Sequence, residues 1–402
     1  MPPTKPLIYA ELLSNIRQIS VLAFLDTPSD STTKAELLAD GTILKLNHAE
    51  HDIRLILPSQ VVSNSPLREF PLGNLELSWR LPLAGDFQRA DVDIAQTIEA
   101  PWSAKDMVIG EQFFECRRCS TIIVEADRIK EWRDLPSEGW AEMMDFWHCH
   151  KPSDHADHNH ENENLASTKG YGANTKFNAQ PGIGFMDHST FLLAETDCAL
   201  PQGGNEIKRT IKCESCLATI GTSDPQNEGI RLFKWSLRLR NFEGSPLSNL
   251  SDKSLEPSMA RIISAQFLGI MNSSCVSRVN ILPLKNSSGA GLVEWLGGLS
   301  IWIFNPSIRY TTSYFYHRRW MRISETPGKP GILAMKILSK SFPLAKYPST
   351  DDESVEELEL PGEVIHELKH HLEVSAMRYL PPSARKFQEW NVSILDRHEA
   401  TS

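Results

Sequence analysis

The sequence predicts an α+β protein that is mainly antiparallel β in its N-terminal half and mixed α/β in its C-terminal domain. Short apolar or alternating runs, separated by turn residues, fill the first part of the chain. Two Cys-x-x-Cys pairs follow, and after them strand-like patterns alternate with helical ones. We therefore expect a β-rich domain at 1–110, a central segment at 111–228 and an α/β domain at 229–402.

The β-rich domain is predicted from runs that show no helical period of useful length. These runs are LIYAELL, ISVLAFL, TILKL, IRLILP and LELSWRLPL, and the turn-like stretches TPSDS, ADG, SNSP and PLGN separate them. Gly, Pro, Asn, Asp and Ser favour turns, so each run is expected to end where the chain reverses. The pattern is typical of a β-sandwich or a half-barrel.

Composition and charge restrict the class of protein and of partner. A chain of 402 residues is long enough for two or three domains, and 41% hydrophobic with 23% charged residues is usual for a soluble globular protein. The net charge of −10 argues against nucleic acid as a direct partner, because a nucleic-acid footprint is basic. No apolar run approaches the length of a membrane-spanning helix, so no membrane partner is expected.

The central segment contains the most specific signal of the chain, a pair of Cys-x-x-Cys motifs. They are Cys116 with Cys119 in FECRRCS, and Cys213 with Cys216 in IKCESCLA. Two thiolate pairs on tight turns are the usual way to build a closed tetrahedral zinc site, and four thiolates leave no open coordination position. We therefore predict that one structural zinc pins the β-rich half, and that 111–228 is a zinc-binding segment with a helical and flexible insertion.

Three other interpretations of these cysteines are weaker. A disulfide framework needs an oxidising compartment, and the N-terminal stretch MPPTKPLIYAELLSNIRQIS has no apolar region of a secretory signal. A thioredoxin-like redox motif needs one exposed pair that opens a helix after a strand, and charged turns fit that context poorly. Free buried cysteines are the third interpretation. Seven cysteines in all fit a reducing cytosol or nucleus.

The insertion between the cysteine pairs begins with a predicted aromatic helix. Ser137 is a suitable N-cap, and Glu138 lies in the first turn, where the helix dipole favours an acidic side chain. Trp140, Met143 and Trp147 recur at helical spacing, so one face of this helix is rich in large apolar side chains. Core packing is the ordinary role of such a face, and a docking surface is the alternative.

A polar stretch at 151–180 follows the aromatic helix and is predicted to be a mobile loop. It contains almost no aliphatic residues, so it lacks the pattern of a packed core. His155, His158 and His160 lie within it. A histidine-rich tract can bind metal adventitiously, but a solvated loop explains these residues more simply.

Cys149 lies between His148 and His150 in the run WHCHKP, which is the other candidate for chemistry. A neighbouring imidazolium lowers the pKa of a thiol and raises its thiolate fraction. Adjacent residues of a helix do not face each other, however, so the histidines need not contact the Cys149 sulfur. Catalysis, ligation of a second metal and a buried structural cysteine therefore all stay open for Cys149.

The C-terminal domain combines predicted strands with two amphipathic helices. FKWSLRLR alternates apolar with polar residues, as a strand with one buried face does, and RVNILPL, GGLSIWIFN, RYTTSYFY and ILAMKILSKS are further strands. One helix is predicted in PSMARIISAQFLGIMN, with Pro257 near its start. The second, PGEVIHELKHHLEVSAMRYL, places Val364, Ile365, Leu368 and Leu372 on one face. STDDESVEELEL is predicted to be an exposed acidic linker.

Several common enzyme classes receive no support from the sequence. It has no dinucleotide-binding GxGxxG, no phosphate-binding P-loop, no HExxH and no GxSxG in a context that gives them meaning. Its carboxylates do not form a spaced pair that indicates acid–base catalysis. Hydrolase, kinase and dehydrogenase functions are therefore unsupported.

The ordered series ECRRC, LPSEGWAEMMDFWHCH, STFLLAE, KCESC and LPPSARKF resembles a known family. It is the family of HECT-like ubiquitin ligases that bind ubiquitin-conjugating enzymes. The resemblance places the zinc ligands on Cys116, Cys119, Cys213 and Cys216, and the functional cysteine of the Trp-x-Cys-His element on Cys149. A true HECT ligase also has a late active-site cysteine, but here only Cys275, without a motif around it, follows the second pair.

The resemblance implies a ubiquitin-protein transferase that recruits a charged ubiquitin-conjugating enzyme and promotes ubiquitin transfer to protein substrates. Transfer runs either through Cys149 or directly from the conjugating enzyme that the protein holds. The alternative is a non-catalytic, zinc-containing adaptor or chaperone-like module for the nuclear pre-mRNA 3′-end processing machinery. The implied partners are the conjugating enzyme, ubiquitin, protein substrates and mRNA 3′-end processing factors, and the implied compartments are cytoplasm and nucleus.

Overall fold

The computed structural model forms two compact units, Met1–Glu99 with Ser277–Ser402 and Ala100–Val276, which we call the split unit and the inserted unit. The division predicted at 1–110, 111–228 and 229–402 follows other boundaries and stays a prediction. The structure describes residues 6–38, 40–63, 67, 69–85, 99–135, 177–200, 209–241, 256–284, 297–314, 330–344 and 354–399.

The split unit is built from twelve described strands and one helix, α2 (Gly362–Tyr379). The N-terminal strands are β1 (Leu7–Leu13), β2 (Gln18–Phe24), β3 (Lys34–Leu37), β4 (Ile43–His48), β5 (His51–Ile56) and β6 (Glu76–Pro82). The C-terminal strands are β16 (Arg278–Pro283), β17 (Gly298–Thr312), β18 (Ile332–Phe342), β19 (Val355–Leu360), β20 (Lys386–Phe387) and β21 (Trp390–Asp396).

Nine of these strands share one sheet that draws on both ends of the chain. Its main path runs β20-β21-β18-β17-β1-β2-β6, and β16 pairs with both β17 and β19. The first half of β17 pairs with β16 and its second half with β1, so this long strand joins the N-terminal strands to the C-terminal ones. Among the described strands of this sheet, all pairings are antiparallel except that of β16 with β19. The N-terminal strands thus do not complete a sandwich by themselves.

Alternation along the strands sets which side faces the core. Leu77, Trp79 and Leu81 of β6 are buried, whereas Ser78 and Arg80 between them are exposed. Buried side chains of the smaller sheet β3-β4-β5 join the same core. Burying one such aliphatic side chain contributes about 1.5–3 kcal/mol. The alternating runs in the sequence therefore correspond to one-sided burial.

Helix α2 packs against the large sheet, mainly at β21 and also at β16 and β17. Val364, Ile365, Leu368 and Leu372 are buried, which confirms the predicted apolar face. The hydroxyl of Ser375 accepts a hydrogen bond from the backbone N–H of Ile394 at 3.2 Å, so the helix pairs a group of β21 that the sheet leaves open.

The two ends of the sheet path approach each other at the motif LPPSARKF. The backbone N–H of Ser383, just before β20, donates to the carboxylate of Glu76 in β6 at 3.1 Å. The sheet therefore curls until its first and last strands are close in space. The Arg385 side chain ties the same segment to the end of α2, because it donates to the carbonyls of Leu380 at 2.9 Å and Met377 at 3.1 Å.

The inserted unit contains helix α1 (Met259–Ser274) and two sheets, ordered β12-β13-β14-β11-β10-β9 and β15-β7-β8. Only the β9–β10 pair is parallel among the described pairings of this unit. Its strands are β7 (Gln112–Cys116), β8 (Ile122–Val124), β9 (Glu131–Asp134), β10 (Ile183–Met186), β11 (Thr190–Leu193), β12 (Thr210–Lys212), β13 (Thr219–Asp224), β14 (Gly229–Phe233) and β15 (Leu237–Asn241).

Helix α1 begins where its sequence indicates. The hydroxyl of Ser258 accepts from the backbone N–H of Arg261 at 3.4 Å, and Pro257 precedes this N-cap. The helix ends at Cys275, which takes the left-handed conformation (φ +56°) that terminates many helices. Its buried residues include Ile262, Ile263 and Phe267, in agreement with the predicted amphipathic helix.

The described residues thus form mostly antiparallel sheets with two α-helices. This agrees with the predicted antiparallel β structure better than with the predicted α/β character of the C-terminal domain. Three predictions for the C-terminal part are wrong. GGLSIWIFN and RYTTSYFY both contribute to the single strand β17, and STDDESVEELEL, predicted as an exposed linker, contains strand β19, which pairs with β16. FKWSLRLR is not a single strand, since β14 ends at Phe233 and β15 begins at Leu237 after a 3-10 turn at Lys234–Ser236. The predicted helix around Trp140–Trp147 lies outside the described residues, as does the loop at 151–180 up to residue 176. No described helix is long and apolar enough to cross a membrane.

Candidate metal centre

The two Cys-x-x-Cys turns of the inserted unit share one backbone geometry. In each, the backbone N–H of the fourth residue after the first cysteine donates to the carbonyl of that cysteine. Ser120 donates to Cys116 at 2.8 Å, and Leu217 donates to Cys213 at 2.9 Å. Ser120 and Leu217 both take left-handed conformations, with φ of 60° and 59°. The two turns therefore wrap around a common point in the same way.

A second hydrogen bond closes each turn. The N–H of Cys116 donates to the carbonyl of Thr121 at 2.8 Å, and the N–H of Cys213 donates to the carbonyl of Ala218 at 2.9 Å. We call residues 116–121 the first knuckle and residues 213–218 the second knuckle. The hydroxyl of Thr121 donates to that of Ser215 at 2.8 Å and so links the two knuckles directly.

The knuckles bring all four paired cysteines together. Every pair of their sulfur atoms lies within 4.8 Å. The Sγ atoms of Cys116 and Cys216 are 3.7 Å apart, and those of Cys119 and Cys213 are 3.5 Å apart. A tetrahedral ion with metal–sulfur bonds of 2.3 Å places its sulfur atoms roughly 3.8 Å apart. The four thiol groups thus have the spacing of a tetrahedral four-sulfur metal site.

The four cysteines differ in their exposure to solvent. Cys116 and Cys213, the first of each pair, are buried, whereas Cys216 is partly exposed and Cys119 is exposed. Burial raises the pKa of the Cys116 thiol to about 12. Hydrogen bonds from the hydroxyl and backbone N–H of Thr121 lower the pKa of Cys119 to about 6. A divalent cation offsets the cost of the buried thiolate, so binding a metal ion here releases protons.

Ion pairs hold the first knuckle in place from behind. Glu115 precedes Cys116 and is buried, and its carboxylate accepts from Arg238 and Arg240 of β15 at 3.1 Å each. The guanidinium of Arg117 donates to the carbonyl of Pro257 at 3.2 Å, just before helix α1. The alternating pattern of FKWSLRLR predicts Arg238 and Arg240 on the polar face of a strand, but it does not indicate their common partner.

Lys234 differs most from the environment that the sequence pattern predicts for it. It was predicted on the exposed face of a strand, but its side chain is fully buried. Its ammonium group donates to the carbonyls of Pro101 at 2.8 Å and Trp102 at 3.0 Å and lies 5.4 Å from the centre of the Phe191 ring. Burial lowers the pKa of Lys234 to about 8. Lys234 begins the 3-10 turn at Lys234–Ser236, where the predicted strand is interrupted.

The remaining cysteines differ in how accessible they are. Cys149, together with His148 and His150, lies outside the described residues, so its predicted role stays a prediction. Cys198 is partly buried, and burial raises the pKa of its thiol well above the usual range. Cys275 is exposed at the end of helix α1. Of the described cysteines, only the four of the knuckles form a group with metal-binding spacing.

Two yeast proteins are similar to this chain over most of its length. "Uncharacterized protein YJR141W" of Saccharomyces cerevisiae is 23% identical over 364 residues, which cover 88% of this chain and 89% of the relative. "Uncharacterized protein C1734.10c" of Schizosaccharomyces pombe is 22% identical over 315 residues, which cover 76% of this chain and 80% of the relative. No solved structure matches the chain.

One family model spans nearly the whole chain, from residue 11 to residue 392. Its range includes both knuckles and the strands that hold them. Its description names binding of a ubiquitin-conjugating enzyme, which points to this class of enzyme as the partner. The chain therefore belongs to the family of HECT-like ubiquitin-conjugating enzyme (E2)-binding proteins.

Proposed function

We propose that this protein is a ubiquitin-protein ligase that holds a ubiquitin-loaded conjugating enzyme while ubiquitin passes directly to a substrate. Membership in the E2-binding family is the observation that carries the proposal. In this reaction a substrate lysine amine attacks the thioester carbonyl, an amide bond forms, and the thiolate of the conjugating enzyme leaves. Holding the two reactants together in the right geometry lowers the entropic part of the barrier.

Direct transfer is favoured over a relay because a relay requires an accessible, nucleophilic thiol of the ligase itself. Burial raises the pKa of Cys198, which makes this thiol a poor nucleophile. Cys275 is exposed, but the residues around it in NSSCVSR match no catalytic motif. Cys149 is the candidate for a relay that the family resemblance supplies, so it is the residue on which the two mechanisms differ.

Zinc in the four-cysteine site has a structural role in this proposal. Soft thiolate ligands in a tetrahedral arrangement favour zinc, and four of them leave no position open for a substrate. Cys116, Cys119, Cys213 and Cys216 would hold the ion and thereby cross-link two knuckles that are far apart in sequence. Closing so long a loop costs conformational entropy, which the metal–thiolate bonds offset.

The cytoplasm and the nucleus are the compartments for this activity. Ubiquitin and protein substrates, among them mRNA 3′-end processing factors, are the further partners. A non-catalytic adaptor or chaperone-like module for that machinery is the second candidate. Such a module has the same fold and can bind a conjugating enzyme, but it does not promote ubiquitin transfer. The test must therefore measure binding and transfer separately.

A single-turnover discharge assay separates these candidates. A panel of ubiquitin-loaded conjugating enzymes is incubated with the full chain and free lysine, and loss of the thioester is followed over time. In parallel, binding of each loaded enzyme is measured by interferometry. Faster discharge by a bound enzyme supports the proposal. Binding without acceleration favours the adaptor, and a panel that shows no binding overturns the proposal.

A further inference from the structure

The split unit exposes a cluster of four aromatic side chains on one face of its large sheet. The aromatic patch consists of Trp302 and Phe304 of β17, Phe387 of β20 and Trp390 of β21. Phe304 and Phe387 are 51% and 44% exposed, which is a large share for side chains of this size. Trp302 and Trp390 are partly buried and pack against a hydrophobic core cluster that includes Tyr310 and Leu338. The patch is thus rooted in the core but open to solvent.

The rings of the aromatic patch contact each other. The centroid of Trp302 lies 5.7 Å from that of Phe304 and 6.1 Å from that of Trp390. Phe304 and Phe387 are 6.2 Å apart. Aromatic pairs at these separations and tilts stabilise each other beyond simple burial. The four rings therefore form one continuous surface.

The backbone fixes the positions of these rings. Trp302 and Phe304 alternate along β17 and so lie on the same face of the sheet. Phe387 pairs directly opposite Trp390. Arg385 anchors the segment before Phe387 to the end of helix α2. A rigid surface loses little conformational entropy on binding, so this arrangement favours recognition of a partner.

Positive charge borders the aromatic patch. The Arg278 guanidinium lies 5.3 Å from the centre of the Trp302 ring, where a cation is attracted to the ring face. Lys386, next to Phe387, is exposed. Lys340 lies beyond them but pairs with Glu389 at 2.9 Å. The border is therefore basic in a chain whose net charge is −10, and it favours an occupant with acidic groups around an apolar centre.

The chemistry of this surface is that of a protein-binding site. Trp, Phe and Arg are enriched at the centres of protein interfaces, where few residues carry most of the binding energy. A contiguous apolar patch that is exposed on a folded protein often marks a site of interaction with another protein. We infer that the aromatic patch is the docking surface for the ubiquitin-conjugating enzyme, the partner that the description of the family names.

This inference rests on the proposed function, because the family supplies the identity of the partner. Its test starts from a conjugating enzyme that binds the wild-type full chain. Phe304→Ala with Phe387→Ala should weaken that binding by at least about 30-fold, the effect of losing an interface hot spot. Arg278→Glu should weaken it as well, mainly through slower association, and the loss should shrink as salt screens the charges.

Leu72→Ala is the matched control, because Leu72 is 67% exposed in the same unit and lies outside the patch. It should leave binding unchanged. The melting temperature of every variant is measured to show that it folds. Hydrogen exchange on the wild-type chain gives a measurement without any substitution, and residues 302–304 and 386–390 should become protected when the enzyme binds.

The outcomes separate the inference from the function on which it rests. Equal binding by the patch variants, with no protection at 302–304 and 386–390, overturns the docking surface while leaving the E2-binding function intact. Failure of the wild-type chain to bind any conjugating enzyme overturns both. Sedimentation that shows a dimer dissociated by the patch variants, with E2 binding retained, identifies a second copy of the chain as the occupant and overturns the inference.

Discussion

Ser120 and Leu217 take the same left-handed conformation at the same position of the two cysteine knuckles, with φ of 60° and 59°. Each donates its backbone N–H to the carbonyl of the first cysteine in its own pair. Neither is a glycine, although this conformation costs an ordinary residue roughly 1–2 kcal/mol. The backbone therefore adopts the geometry of the site even at positions where the side chain opposes it.

Leu217→Gly is expected to stabilise the protein by up to about 1 kcal/mol, because glycine takes a positive φ without steric cost. Leu217 is 70% exposed, so the substitution removes little packing. The free energy of unfolding, measured with denaturant, checks this. Leu217→Ala is the control, since alanine keeps the unfavourable conformation and should leave stability unchanged. A loss of stability in the glycine variant would show that Leu217 packs against something.

Substitution of Cys213, a buried cysteine of the candidate metal site, is expected to disrupt folding and not only activity. Cys213 is fully buried, and Cys213→Ser should lower zinc content and melting temperature together, since structural zinc supplies roughly 10–16 kcal/mol of apparent folding free energy. Elemental analysis and calorimetry measure the two quantities. Cys275→Ser, at an exposed cysteine outside the site, is the control. Soluble, folded wild-type protein without zinc would contradict the structural role.

Lys234→Met tests the buried ammonium group. The variant leaves the carbonyls of Pro101 and Trp102 without their donor, which should cost about 1–3 kcal/mol of stability at neutral pH. Relief of the buried charge opposes this loss, and this opposing contribution varies with pH. The dependence of stability on pH is therefore the decisive measurement.

The direction of this pH dependence follows from the lowered pKa of Lys234. The pKa falls from 10.5 to about 8 on folding, so the unfolded chain binds more protons between these values. Stability should rise with pH across this interval, by roughly 2–3 kcal/mol between pH 7 and pH 10. The difference in unfolding free energy between wild type and Lys234→Met isolates this contribution. A difference that does not vary with pH would contradict it.

Local patterns were enough to predict the parts of the fold that depend on neighbours in sequence. The cysteine pairs, helix α1 and the buried face of helix α2 each follow from spacing within one segment. The clustering of the four cysteines was predictable because two short motifs of the same type have few other uses. The alternating runs predicted strands but not their partners.

Interactions between distant segments could not be predicted in this way. The pairing of β1 with β17 joins the two ends of the chain, and nothing in either run specifies the other. Lys234 occupies a polar position in an alternating run, so its burial depends on the carbonyls of Pro101 and Trp102, far away in sequence. Glu115 likewise meets Arg238 and Arg240 only because β7 and β15 are adjacent.

Deletion of residues 155–175 is expected to leave the melting temperature and zinc content unchanged. Their sequence lacks the apolar pattern of a core-forming segment. Calorimetry of the deletion variant checks this, and its discharge activity shows whether the stretch contributes to recruitment. A drop in melting temperature of several degrees would assign a structural role to this stretch.

The proposed function requires that ubiquitin pass directly from the conjugating enzyme, without a thioester on this chain. Cys149→Ser tests it most directly, because serine nearly preserves the volume of cysteine but is a far weaker nucleophile. Discharge of the loaded enzyme is followed on non-reducing gels with wild-type and variant protein. Equal discharge rates, and no reductant-sensitive ubiquitin adduct on the wild type, are the predicted result. Loss of discharge in the variant, with an adduct on the wild type alone, would contradict it.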